Sequence, residues 1–158
     1  MVTLDWCGRQ ARGLTLIEPN ENLAQEYLRN AEETLGLLGQ VEGRSRMWLA
    51  TMKYYCEYFA FYALMMRLGV KSEIHDCTIA VARLLEAEAV LPKGSAARLA
   101  EDKQLRIDNQ YYLKNRDVEL DHDSLARFVL EMKRLVTTLT DERIATLRHR
   151  LESARGRA

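Results

Sequence analysis

The sequence predicts an all-α protein, folded as one up-and-down, antiparallel bundle of four to five helices. Three observations carry that expectation. Apolar residues fill 47% of the 158 positions, enough for one packed core at this length. Only two prolines and eight glycines interrupt the chain, which suits packed helices and not a disordered segment. Apolar side chains also recur at three- and four-residue intervals along most of the length, separated by short polar breaks.

Residues 1–19 have no helical period. They are expected to form an N-terminal arm or a short hairpin, Thr3-Leu4-Asp5-Trp6 pairing with Thr15-Leu16-Ile17 around Cys7-Gly8-Arg9. The bundle is expected over residues 20–152. Asn20 can cap its first helix, where Leu23, Tyr27, Ala31, Leu35 and Leu38 share one face, and Gly39 and Gly43 bracket the stop. The next helix, about Arg46 to Leu68, is apolar nearly all round, which places it at the centre; Gly69 ends it. Ser72–Asp76 opens a third helix, with acid at its start, that runs to about Val90. Leu91-Pro92-Lys93-Gly94 breaks the chain, and Ser95 can cap a fourth helix carrying Arg106 to Tyr112. A long last helix begins near Asp121–Asp123, with Leu125, Phe128, Val129, Met132, Leu135, Val136 and Leu139 as its stripe. Thr140-Asp141-Glu142 can restart it, with Ile144, Leu147 and Leu151 continuing the stripe. Residues 153–158 form a basic tail.

Lys plus Arg equals Asp plus Glu at 23 each, so the chain has no global basic field of the kind dedicated nucleic-acid binders carry. Its three cysteines are an odd number without Cys-x-x-Cys spacing, which suits a reducing, cytoplasmic setting better than a disulfide framework. The first residues lack the basic start and apolar run of a secretion signal. Met47 to Leu68 approaches membrane-spanning length, but Lys53 and Glu57 interrupt it, and Tyr58–Met66 is too short to span. No membrane association is expected.

Two blocks stand out as candidate working parts. One is Leu105-Arg106-Ile107-Asp108-Asn109-Gln110-Tyr111-Tyr112; the other runs from Tyr54-Tyr55-Cys56-Glu57-Tyr58-Phe59 to Leu68-Gly69-Val70, followed by Ile74-His75-Asp76. Together and in this order they resemble the HEPN domain, an all-α module of RNA-cutting toxins and of partners of minimal nucleotidyltransferases. The resemblance spans roughly Asn22 to Leu139 and is closest to a small stand-alone branch with an Arg-x4-Tyr motif. It implies a HEPN-like homodimer that binds RNA or nucleotide in a cleft at Arg106, as partner of a minimal nucleotidyltransferase in a toxin–antitoxin-like pair. Ligand contacts are then expected from Arg106, Asn109, Gln110, Tyr112 and His75. The resemblance implies no cofactor, and adjacent His75, Asp76 and Cys77 point different ways on a helix, so no metal is expected either.

Nuclease members of the family cut RNA without metal, an arginine neutralising phosphate charge while a histidine takes the ribose proton. Here Arg106 is present, Tyr111 stands where the histidine would be, and Ile107 replaces the usual polar residue. An unperturbed tyrosine titrates near 10, leaving it about a thousand-fold short of ready as a base at pH 7. It can still donate a hydrogen bond or stack on a base. A binding role is therefore expected first. The alternative is a metal-independent endoribonuclease in which Tyr111 or Asp108 substitutes for histidine.

Helix geometry bears on this motif. Arg106 and Gln110 share a face, while Tyr111 lies roughly 140° away. Arg106 and Tyr111 meet only if the arginine reaches round, the helix loosens, or a second subunit completes the site. A structural alternative pairs Arg106 with Glu101 or Asp102 at helical distance. The aromatic run from Tyr54 to Tyr62 is expected in the core and a subunit interface, and Lys53 and Glu57 are spaced to pair with each other. Arg148, Arg150, Arg155 and Arg157 either meet RNA phosphates or suit the negative end of a helix dipole. Trp6 and Trp48 are expected to anchor the arm and the core.

Overall fold

The computed structural model describes residues 1–156. Among these are seven helices and one two-stranded ribbon: α1 (Leu4–Arg9), β1 (Thr15–Leu16), α2 (Glu21–Val41), α3 (Arg46–Leu68), β2 (Val70–Lys71), α4 (His75–Ala87), α5 (Ser95–Gln110), α6 (His122–Thr138) and α7 (Asp141–Ala154). The protein is an all-α bundle, as its periodicity predicts. The restart expected at Thr140 divides the last stretch into two helices: Thr140 leaves the helical path and its Oγ1 accepts the Arg143 N–H (3.2 Å) as a fresh N-cap.

Helix α3 is the axis of the molecule, packing against α2, α5 and α6. Its apolar circumference explains this: Tyr54, Phe61, Leu64, Met65 and Leu68 are all fully buried. Asn20 caps α2, its Oδ1 accepting from Leu23 N–H (2.9 Å), and Ser45 caps α3 through Trp48 N–H (3.2 Å). Helix α4 begins at His75 instead of Ser72, whose hydroxyl is bonded to the Ile74 backbone in the preceding turn. Gly94, not Ser95, is the residue before α5, and Ser95 Oγ turns back to Pro92 O (2.7 Å).

Three expectations about the ends of the chain need correction. Residues 4–9 are helical, not a strand, because Thr3 Oγ1 caps the Trp6 N–H (3.2 Å) and Asp5 pairs with Arg9 one turn on. Thr15-Leu16 does form a strand, but its antiparallel partner is Val70-Lys71. The tryptophans anchor little: Trp48 is 51% exposed and Trp6 39%.

Arg148, inside α7, is a structural tie. One guanidinium nitrogen donates to Ile17 O and Leu68 O (both 2.8 Å) and to Gly69 O (2.9 Å), fastening α7 to the end of α3 and to the residue after β1. Gly69 makes this closeness feasible: it is left-handed (φ 69°), and a Cβ there would sit 2.3 Å from that nitrogen. Arg143 donates to Glu88 O (2.7 Å), and Arg150 pairs with the Glu88 carboxylate (3.5 Å). Arg157 lies outside the described residues.

The cysteine reading is also corrected. Cys7 of α1 and Cys77 of α4 form a disulfide across 70 residues, with Cα atoms 5.7 Å apart. No sequence spacing signals it, since the two positions meet only once α1 docks on α4. Cys56 is the free, buried thiol, its pKa pushed up to about 12 chiefly by burial. Among the described residues no helix is long and apolar enough to cross a membrane.

Candidate functional site

The motif arginine is buried without a counterion. Arg106, 6% exposed, sits on the face of α5 turned toward α3. Its Nη1 donates to Tyr55 Oη (2.7 Å), and its guanidinium carbon lies 5.3 Å from the ring centres of both Tyr54 and Tyr55. Tyr111 closes a third side at 5.6 Å. Among the described residues no carboxylate pairs with it. The structural alternative fails because Asp102 is held by Lys53 (2.9 Å) and Glu101 is exposed.

Such an arrangement is energetically unfinished. Burying a cation costs several kcal/mol, and each desolvated aromatic face returns only about 2 kcal/mol. Two buried atoms on the same side of α5 also lack partners: the Arg106 Nε, a donor, and the Gln110 Oε1, an acceptor. An anion bearing a hydroxyl would satisfy both.

His75, the first residue of α4, joins this cluster through a tyrosine. Its Nδ1 shares a 2.7 Å hydrogen bond with Tyr54 Oη, and its ring packs against Tyr54, Tyr55 and Tyr58. Burial, then the nearby charges of Arg106 and Lys103, hold its pKa down at about 4, with Asp76 opposing. The imidazole is therefore neutral at physiological pH. Burial pushes the Tyr54 and Tyr58 hydroxyls well above the ordinary phenol range, keeping both protonated.

The remaining motif residues serve the loop that follows. Asp108 accepts from Lys114 Nζ (2.9 Å), Arg116 Nη1 (2.7 Å) and Gln104 Nε2 (3.0 Å). These bonds, Arg116 first, hold its carboxyl near pKa 2. Asn109 brackets Arg116, accepting its N–H (2.6 Å) and donating to its carbonyl (3.2 Å). Held this way, the loop presents Tyr111, Tyr112 and Leu113 to solvent, with Lys114 over the Tyr112 ring at 5.5 Å.

The predicted site residues thus divide. Arg106, Tyr111 and His75 converge around Tyr54 and Tyr55, with Gln110 alongside; Asp108 and Asn109 brace a loop that exposes Tyr112. The roles of Tyr54 and Tyr55 were not visible, since 51 residues separate Tyr55 from Arg106. His75-Asp76-Cys77 does scatter as its helical phase requires: His75 meets Tyr54, Asp76 meets Lys103 (2.5 Å), and Cys77 meets Cys7.

Lys53 and Glu57 are not paired with each other. Lys53 binds Asp102, and the fully buried Glu57 binds Arg98 Nε (2.5 Å). Their shared face of α3 is covered by α5, where Arg98 and Asp102 repeat the same four-residue spacing with opposite charge. Neither the models of known protein families nor the curated proteins compared with this chain give a match.

Proposed function

We propose that the chain is a HEPN-like subunit that binds a phosphate of RNA or of a nucleotide at Arg106, as a homodimer partnering a minimal nucleotidyltransferase in a toxin–antitoxin-like pair. The supporting observation is the buried Arg106 guanidinium, caged by Tyr54, Tyr55 and Tyr111 and unpaired with any carboxylate among the described residues. A phosphate oxygen is one of the groups such a fork attracts strongly. The half-buried Tyr55, Tyr58 and Phe59 and the exposed Tyr111 and Tyr112 give a second copy apolar surface to cover. The nucleotidyltransferase partner follows from the motif resemblance alone. This reading places the protein in the cytoplasm, where the Cys7–Cys77 bridge, with both residues fully buried, would be shielded from reductants.

The test is binding of a fluorescent single-stranded RNA, and of ATP, by the purified protein. Arg106→Ala should weaken binding at least tenfold, and Arg106→Lys should recover part of it by restoring charge without the fork. Equal binding by the native protein and a folded Arg106→Ala variant would sink the proposal.

One observation supports the second reading, a metal-independent ribonuclease. The motif lacks histidine, yet the fold supplies a neutral imidazole, His75, across Tyr54 from Arg106. RNA cleavage in EDTA with cyclic-phosphate ends, lost in both Arg106→Ala and His75→Gln, would establish it. Intact RNA would leave the binding subunit as the account.

A further inference from the structure

A cavity lies away from Arg106. It is a groove of about 640 Å³ between the start of α5 and the flank of α6, within the range of sites for small ligands. Phe128 forms part of its floor and is buried, whereas Leu130, on the rim, is 65% exposed. An exposed leucine beside a buried phenylalanine makes a continuous apolar wall open to solvent.

The charges around that wall are one-sided. Lys93 enters from the loop before α5, Arg98 from α5, and Arg127 and Arg134 from α6. Among the described residues the lining carries one acid, Glu131, and both its oxygens are bound to Arg134 (2.6 and 2.9 Å). Arg98 is fixed at the base by Glu57 and by the Ser124 hydroxyl (2.9 Å), with its guanidinium over the Phe128 ring at 5.3 Å. Lys93 and Arg127 therefore face the groove with no acid on its wall to answer them.

We propose that this groove binds a small amphiphilic carboxylate, its apolar body lying on Phe128 and Leu130 and its anionic head between Lys93 and Arg127. The rim charge excludes cationic amphiphiles, and the apolar floor gives a bare phosphate or a polar nucleotide little to cover. The proposal is independent of the reading of Arg106, which stands on other residues of another face.

The test uses the purified full chain with anilinonaphthalene sulfonate as reporter and decanoate, below micelle formation, as competitor. One dye should bind per chain and be displaced by decanoate but not by decylamine. Joint Lys93→Glu and Arg127→Glu, both exposed positions, should weaken binding of the anionic dye at least tenfold. Leu130→Asp should weaken the dye as much, with circular dichroism confirming the fold. Leu113→Asn, which strips a separate exposed apolar patch, should leave dye binding unchanged. Dye binding that survives the charge reversal, resists decanoate, or disappears with Leu113→Asn overturns the proposal.

Discussion

The guanidinium carbon of Arg106 lies 5.6 Å from the ring centre of Tyr111, although the two side chains start on nearly opposite sides of an ideal helix. They meet at the end of α5, where the chain widens just beyond Tyr111. The N–H of Tyr112 reaches Ile107 O five residues back (3.3 Å), Leu113 turns left-handed (φ 51°), and the N–H of Lys114 closes on Asp108 O (3.0 Å). Tyr111 itself stays in the helical region with its N–H on Ile107 O (3.0 Å), and its ring lies against the arginine as the chain turns away behind it. A left-handed leucine costs about 1–2 kcal/mol, which the bonds from Lys114 and Arg116 to Asp108 help to offset. The motif's geometry is thus produced within one chain.

The coupling between Arg106 and His75 is measurable. In the native protein the imidazole should titrate near 4, and Arg106→Gln should raise that midpoint toward the ordinary value by removing one of the charges that depress it. Burial, the larger cause, remains, so the recovery should be partial. NMR titration of the His75 ring carbons reads both. The same shift means that His75 costs stability as pH falls from about 6.5 to about 4, where the unfolded chain takes up a proton and the fold does not. A midpoint unmoved by Arg106→Gln would show that the guanidinium charge does not reach the ring.

Asp108 should govern the order of the exposed loop. Asp108→Asn keeps the shape but discards the charge that holds Lys114 and Arg116, so Tyr111, Tyr112 and Leu113 should become several-fold better chymotrypsin sites. Global stability should fall as well, because Asp108 is the shared acceptor of Lys114, Arg116 and Gln104. With a folded pKa held down near 2, the native contribution should be lost only as pH drops from about 4 through 2. Cleavage at the native rate in Asp108→Asn would assign loop order to Asn109 instead.

The helices were legible because their signals are local. Asn20, Gly69 and Thr140 mark element ends with their own side chains or lack of one, and the all-round apolarity of α3 announces its central place. What stayed hidden depends on which helices meet. Lys53 and Glu57 read as partners from their spacing, yet α5 brings Asp102 and Arg98 to each. Thr15-Leu16 showed its strand character but not its partner, Val70-Lys71. The candidate site was half readable: Arg106 and Tyr111 are neighbours in sequence, whereas Tyr54, Tyr55 and His75 reach them only through the packing of α3, α4 and α5.

The Cys7–Cys77 bridge closes a loop spanning most of the first half of the chain, so its loss should be costly. Joint Cys7→Ser and Cys77→Ser should lower stability by about 2–4 kcal/mol, through greater freedom of the unfolded chain. Urea midpoints with equal slopes would report it. Because both cysteines are fully buried, dithiothreitol should leave the folded protein oxidised and act only where urea opens it. Equal urea midpoints for the native and double-serine proteins would mean that the bridge adds nothing to the fold.

Glu57 should make the protein weaker at alkaline pH. Burial and the neighbouring Asp102 raise its pKa to about 8 against the opposing pull of Arg98. Its folded pKa lies above the unfolded value, so the fold holds a proton that the unfolded chain has lost between about 4.5 and 8. The stabilisation is fully present below that window and disappears as pH rises through it. His75 acts in the opposite direction, but only below about 6.5, so the interval from pH 6.5 to 8 isolates Glu57. There the native protein should lose about 1–2 kcal/mol, since each pH unit is worth at most about 1.4 kcal/mol per proton. Glu57→Gln keeps the side-chain volume and a hydrogen-bonding oxygen for Arg98 but cannot ionise, so its stability should stay flat across the interval. The contrary outcome is equally specific. If Arg98 keeps Glu57 ionised at every pH, the native curve is flat and Glu57→Gln is destabilised throughout, by loss of a buried ion pair.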